Sequence, residues 1–195
     1  MSDPQAVFLN TPYDPAYQPL FVTLVGTLVC LGLKPHCVLE IQEKGQGRLA
    51  RIFHLLRSCG VSIHDLSRTG PPARLNMSFE LGLACSLKLS GTSHEIVVLD
   101  SLDYRLDKTL SDYKGRDSWI HHNRCDELVT CLLDIFEVAN EPDPLALRSA
   151  ATFLRQSARQ LAKQYRTETI FRAAPFRALV SAATQLAQER GFIPP

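Results

Sequence analysis

An α/β fold, with a parallel sheet flanked by helices and a helical extension at the C-terminal end, is the class this sequence predicts. Short apolar runs bounded by Gly, Pro, Asn and Asp alternate with longer segments whose apolar residues recur at helical spacing. The 195 residues amount to about one domain plus an appendage, and 45% apolar with 21% charged residues is the composition of a soluble globular protein. Past residue 140 the strand signals stop and two amphipathic helical patterns remain.

The first strand covers residues 6–10 and ends at Thr-Pro-Tyr-Asp-Pro. Asp14 or Gln18, each followed by a proline suited to the first helical position, caps a mostly apolar helix that runs to about Leu31 and stops at Gly32. A second strand spans 36–41 and closes on Glu40 and its neighbour. After a turn at 45–47 comes a helix over 48–59, with Leu49, Ile52, Phe53 and Leu56 at core spacing, ended by Gly60. The third strand, 61–65, closes on Asp65. A helix over 76–89, capped by Asn76, carries Glu80 in its first turn, and a fourth strand spans 94–100. Right-handed crossovers in such a series leave few topologies, and a flavodoxin-like strand order is the first choice.

Residues 101–122 are polar and irregular but hold Tyr104, Tyr113 and the single tryptophan, Trp119, which suits a packed lid. Asn123 caps a helix to about Ala139, with Leu128, Val129, Leu132, Ile135 and Phe136 on one face. Glu141-Pro-Asp-Pro then breaks the chain, dividing an α/β domain over 1–140 from a helical extension over 141–195. In the extension, residues from Leu147 to Ala162 and from Phe176 to Ala187 each form an apolar stripe, and Gly191 stops the second. Both stripes need a cover, which is either the α/β core or a second copy of the chain.

A net charge of +1 leaves no overall nucleic-acid or membrane footprint. From Glu141 onward there are eight Lys/Arg against four Asp/Glu, a balance of +4, so residues 1–140 carry −3. That excess reads as a solvated basic helix face. The apolar run 20–33 is too short to span a bilayer. Six scattered cysteines without Cys-x-x-Cys, several inside apolar runs and with no signal peptide ahead of them, fit a reduced cytoplasmic protein. His121, His122 and Cys125 match no familiar zinc spacing, so no metal is expected. Gly-x-Gly-x-x-Gly is missing after the first strand, which argues against a dinucleotide cofactor held for hydride transfer.

Ligands of an open parallel sheet bind beyond the carboxyl ends of its strands. The stretch VSIHDLSRTGPPARLNMSFELGLA puts Asp65 at such a strand end and Glu80 near a helix start, with Arg68 and Arg74 between them. The helix field favours an ionised Glu80. A carboxylate there can accept hydrogen bonds from sugar hydroxyls, or stabilise or bond to an oxocarbenium-like carbon. Arg68, Arg74 and the backbone near Ser78 can hold phosphate. Asn10, Tyr13 and Asp14 reach the same edge from the first strand, Tyr13 stacking on a base or binding a ribose hydroxyl, and Glu40 is placed to bind ribose hydroxyls. The same residues also admit plain structural readings: an Asx turn for Asp65 with Ser67, a loop cover for Tyr13, and a core position for His64 on the opposite face of the strand.

The segments SIHDLSR…RLNMSFELGLA and FLNTPYD resemble the TIR-like and nucleoside 2-deoxyribosyltransferase-like superfamily, nearest to small bacterial TIR-like proteins linked to anti-phage defence. The resemblance covers roughly residues 6–100 and extends towards 139. In that superfamily a strand ends in Asp and a helix begins with x-x-E-L-G-x-A, whose Glu is the catalytic carboxylate. Glu80-Leu81-Gly82-Leu83-Ala84 matches that pattern and Asp65 matches the strand-end acid. Gly82 would then let the helix approach the sheet closely. The acid and the Gly-Thr that deoxyribosyltransferases carry before the Glu have no counterpart in residues 73–78, and the Ser/Cys and Trp of eukaryotic-type TIR domains are also missing.

The resemblance implies cleavage of an N-glycosidic bond, foremost hydrolysis of NAD to release nicotinamide, with NAD as substrate and no cofactor. It also implies assembly, here a homo-oligomer through the C-terminal helices. A non-catalytic nucleotide sensor, a TIR-type interaction module and a nucleoside deoxyribosyltransferase are the alternatives.

Overall fold

The computed structural model describes residues 2–40, 47–68, 75–113, 118–138 and 141–195. Five parallel strands form one sheet: β1 (Asp3–Asn10), β2 (Lys34–Cys37), β3 (Cys59–Asp65), β4 (Glu95–Asp100) and β5 (Trp119–Ile120). Their order, β2-β1-β3-β4-β5, is the flavodoxin-like order. The helices are α1 (Gln18–Cys30), α2 (Arg48–Ser58), α3 (Leu75–Leu89), α4 (Arg105–Thr109), α5 (Cys125–Ile135), α6 (Pro144–Gln164) and α7 (Ala173–Glu189).

The chain divides into two compact units. Met1–Pro12, His36–Val38 and Glu43–Asn123 form the first, and Tyr13–Pro35, Leu39–Gln42 and Arg124–Pro195 the second.

In the first unit α2 lies against β1 and β3, and α3 against β1, β3 and β4. Leu66, Met77, Leu81, Val98 and Leu106 close one core cluster there. Strand β1 begins three residues earlier than its apolar run, at Asp3. A register shift between Asp3 and Val7 accommodates Pro4, which a regular central strand would not tolerate. Gly60 does not end α2. The helix passes directly through Cys59 into β3, and Gly60 sits where an added Cβ would come within 2.8 Å of Pro4 Cα. Strand β2 ends at Cys37, so Glu40 lies in a 3-10 turn, Val38–Glu40, and not on a strand. The turn expected at 45–47 lies mostly outside the described residues.

Between residues 101 and 122 the described residues hold helix α4, a 3-10 turn at Ser111–Tyr113, and β5. Tyr104 is 78% exposed in the left-handed region at φ 56°, and Trp119 is 37% exposed, so neither packs as a lid would need. Tyr113 does pack, against the Leu66 cluster.

In the second unit α1 contacts α5, α6 and α7, and is buried from Leu20 to Cys30. Gly26 permits the crossing with α6, since a Cβ there would stand 2.5 Å from Leu154 Cδ1. The predicted stripes of α6 and α7 are the faces that turn inward: Leu147, Leu154 and Ala158 on one, Phe176, Leu179 and Ala183 on the other. Asp143 caps α6 by accepting from Ala146 N–H at 2.8 Å. Asn123, by contrast, does not cap α5. It has φ 57°, and Arg124 is the N-terminal boundary residue. All six cysteines are free thiols, and burial pushes Cys30 up to about 12 and Cys131 up to about 11. No helix among the described residues is long and apolar enough to cross a membrane.

Candidate active site

The carboxyl edge of β1, β3 and β4 gathers Asn10, Asp65 and Asp100, because register pairs Asn10 with His64, Asp65 with Leu99, and Asp100 with Ile120. Asp65 is fully buried. Its Oδ1 accepts from Ser67 N–H at 2.8 Å, the Asx turn, and its Oδ2 lies 3.0 Å from His121 Nε2. His121 Nδ1 accepts from Asn123 N–H at 3.1 Å, which leaves Nε2 as the ring's donor to Asp65. Asp65 is thus held by partners from β3's own turn and from the residue after β5. Asp100 is held equally firmly: Arg105 pairs with it and also donates to the Leu66 carbonyl at 2.9 Å. Arg105 is not among the sequence candidates, and His121 enters there only in a trio that matches no familiar zinc spacing. Their only prior signal was a second strand-end acid and a buried-looking His after an apolar pair.

Asn10 is the hinge between β1 and α3. Its Nδ2 donates to the Met77 carbonyl at 2.8 Å and to His64 Nδ1 at 2.8 Å. A carbonyl can only accept, so the amide nitrogen must face Met77 and the direction of the next bonds follows. His64 Nε2 donates to Ser62 Oγ at 2.9 Å, Ser62 donates to His94 Nε2 at 2.8 Å, and His94 Nδ1 donates to the Cys59 carbonyl at 3.1 Å. The result is one directed chain of neutral groups inside the sheet. Burial, reinforced by His94, pushes His64 down to about 3, and burial also lowers His94.

The edge itself is not closed in this way. Asn10 Oδ1, Thr11 Oγ1 and Ser67 Oγ are buried and have no hydrogen-bond partner among the described residues. A buried polar atom left so costs about 1–3 kcal/mol, and native sites seldom carry several together without a role.

Glu80 is six residues into α3, in its second turn, with only 6% exposure. It shares the inward face with Met77, Leu81 and Ala84. The expected ionised state is not what this placement produces. Burial pushes its carboxyl up to about 7, with Arg48 at the start of α2 offsetting part of the effect. Gly82 makes no close approach to the sheet; it is exposed, and a Cβ on it would meet nothing within 4 Å. Asn76 is likewise exposed within the helix and does not cap it. Ser78 lies on another face of α3, lining a cleft with Gly82, Cys85 and Tyr113. Arg68 is half-buried in the turn after β3, and Arg74 lies outside the described residues.

Three candidates belong to the second unit. The Tyr13 ring packs on Phe21 and Phe171, with centroids 5.9 and 5.4 Å apart. Asp14 Oδ1 accepts from Tyr17 N–H at 2.9 Å and fixes the turn into α1. Glu40 sits in the 3-10 turn already described. Among the described residues no cluster of three His, Cys, Asp or Glu could hold a metal; His122 stands on the surface, 3.4 Å from Asp103.

No protein-family model, curated protein or solved structure matches this chain.

Proposed function

We propose that the protein cleaves the N-glycosidic bond of a nucleotide, foremost that of NAD, with Glu80 as the reacting carboxylate. The observation that carries the reading is the pairing of a buried acid poised near neutrality with unpartnered Asn10 Oδ1, Thr11 Oγ1 and Ser67 Oγ in the same unit. Sugar hydroxyls are donors that suit those oxygens. When the ribosyl–nicotinamide bond breaks, its electron pair neutralises the cationic ring, so little acid assistance is needed. The ionised Glu80 stabilises or traps the ribosyl carbon, and water then delivers hydroxide to it while Glu80 takes the proton. Asp65, with both oxygens engaged, acts as a positioning residue through His121 and the turn at Ser67.

Wild type and Glu80→Gln incubated with NAD at pH 8, with nicotinamide followed by chromatography, test this. The expected outcome is release that falls at least 10³-fold in the variant, on the scale of losing one essential transition-state contact. Equal rates would end the proposal.

A non-catalytic nucleotide sensor is the second reading. It is favoured by the protonated fraction of Glu80, which can donate to a ligand as well as react with one. Stoichiometric NAD binding with no turnover would support it. Self-association through α6 would use its exposed Leu145 and Phe153, and anti-phage defence is the setting that the resemblance adds.

A further inference from the structure

The second unit carries a cleft of about 250 Å³ between α1 and α6, lined by Gln18, Val22, Thr152, Arg155, Gln156 and Arg159. We infer that this cleft is a binding site for a small phosphoryl anion, of phosphate or diphosphate size.

Arg155 is half-buried and fixed. Its Nη1 donates to Thr23 Oγ1 at 3.0 Å and its Nη2 to Thr152 Oγ1 at 2.9 Å. Each hydroxyl gives its own proton to a helix carbonyl, Thr23 to Pro19 and Thr152 to Arg148, so both oxygens are oriented as acceptors. They hold the guanidinium in place without neutralising it. No carboxylate among the described residues pairs with Arg155 or with Arg159, one turn further on. Like charges four residues apart on a helix repel.

Gln18 adds a third donor. Its Oε1 accepts from Ile170 N–H at 3.1 Å, which leaves both amide N–H bonds without an acceptor among the described residues. Two guanidinium forks and an amide provide more donors than a carboxylate can accept, and they match the three oxygens of a phosphoryl group. The volume falls just below that of pockets for whole small molecules, so a diphosphate fits while a base and sugar would project outside.

Calorimetric titration of the full chain at constant ionic strength, with inorganic phosphate, pyrophosphate, ADP, adenosine and acetate, tests the site. Saturable 1:1 binding of pyrophosphate is expected. It should weaken at least tenfold in Arg159→Gln and in Arg155→Gln, and stay unchanged in Glu80→Gln, which separates this site from the one at Glu80. Arg159 is exposed, so its variant decides the matter even if Arg155→Gln is unstable. ADP binding tighter than pyrophosphate, with adenosine silent, identifies a nucleotide as the source; ADP binding more weakly identifies free phosphates. Pyrophosphate binding no stronger than acetate, or wild-type affinity in Arg159→Gln, overturns the inference.

Discussion

Polar side chains occur in the interior of strand β3 and at the carboxyl edge it shares with β1, and the two regions behave differently. Along the interior, Ser62 and His64 join Asn10 and His94 in a chain where each nitrogen and hydroxyl meets a partner of the right kind. At the carboxyl edge, Asn10 Oδ1, Thr11 Oγ1 and Ser67 Oγ meet none among the described residues. The first pattern stabilises the fold and locks its histidines neutral. The second stabilises nothing by itself, and it lies where ligands of this topology bind. The difference separates polar atoms that hold the sheet from those that await something else, and Asn10 contributes its amide nitrogen to the first set and its oxygen to the second.

The comparison breaks if the interior chain is dispensable. His64→Leu removes the acceptor of one Asn10 amide N–H and the donor to Ser62 Oγ, and should cost about 3 kcal/mol in urea denaturation. It should also flatten the acid limb of stability. With His64 at about 3 in the fold and 6.5 when free, the unfolded chain takes up the proton first. Stability is therefore full above pH 6.5 and falls towards pH 3, by roughly 4–5 kcal/mol in all. A variant with an unchanged slope would show that His64 is not the titrating group.

Glu80 has the opposite sign. Its carboxyl stands near 7 in the fold against 4.5 when free. The folded state holds the proton longer, so a destabilisation sets in above pH 4.5 and is complete above about 7. Glu80→Gln should then be more stable than wild type by about 3 kcal/mol at pH 8 and equal to it at pH 4, measured by denaturant midpoint.

Smaller effects sharpen the contrast at the edge. Thr11→Val keeps the shape and removes an unpartnered hydroxyl, so stability should hold or rise by about 1 kcal/mol while KM for NAD rises about tenfold. Loss of stability in that variant would place Thr11 with the structural chain.

Legibility followed the same division. Asp65 and Glu80 were visible because a strand, a turn and a helix follow each other within one segment, and the strand order followed from the alternation. The ionisation of Glu80 was not visible, since it depends on how deeply the side chain is buried and not on its distance from the helix start. His121 reaches Asp65 across 56 residues of separation, and β5 is two residues long, too short for any period. Gly60 and Gly82 were misread for a shared reason. A glycine in sequence signals a stop or a close approach equally well, and only the neighbouring atoms distinguish them: Pro4 at 2.8 Å for Gly60 and none within 4 Å for Gly82.

The most direct test of Glu80 as the reacting carboxylate is the pH dependence of kcat/KM for NAD hydrolysis, which reports the ionisation of the free enzyme. The account predicts a rise of one proton's slope through about pH 7 and a plateau above it, absent in Glu80→Gln. A profile already flat from pH 5 upward, or an identical rise in the variant, would contradict it.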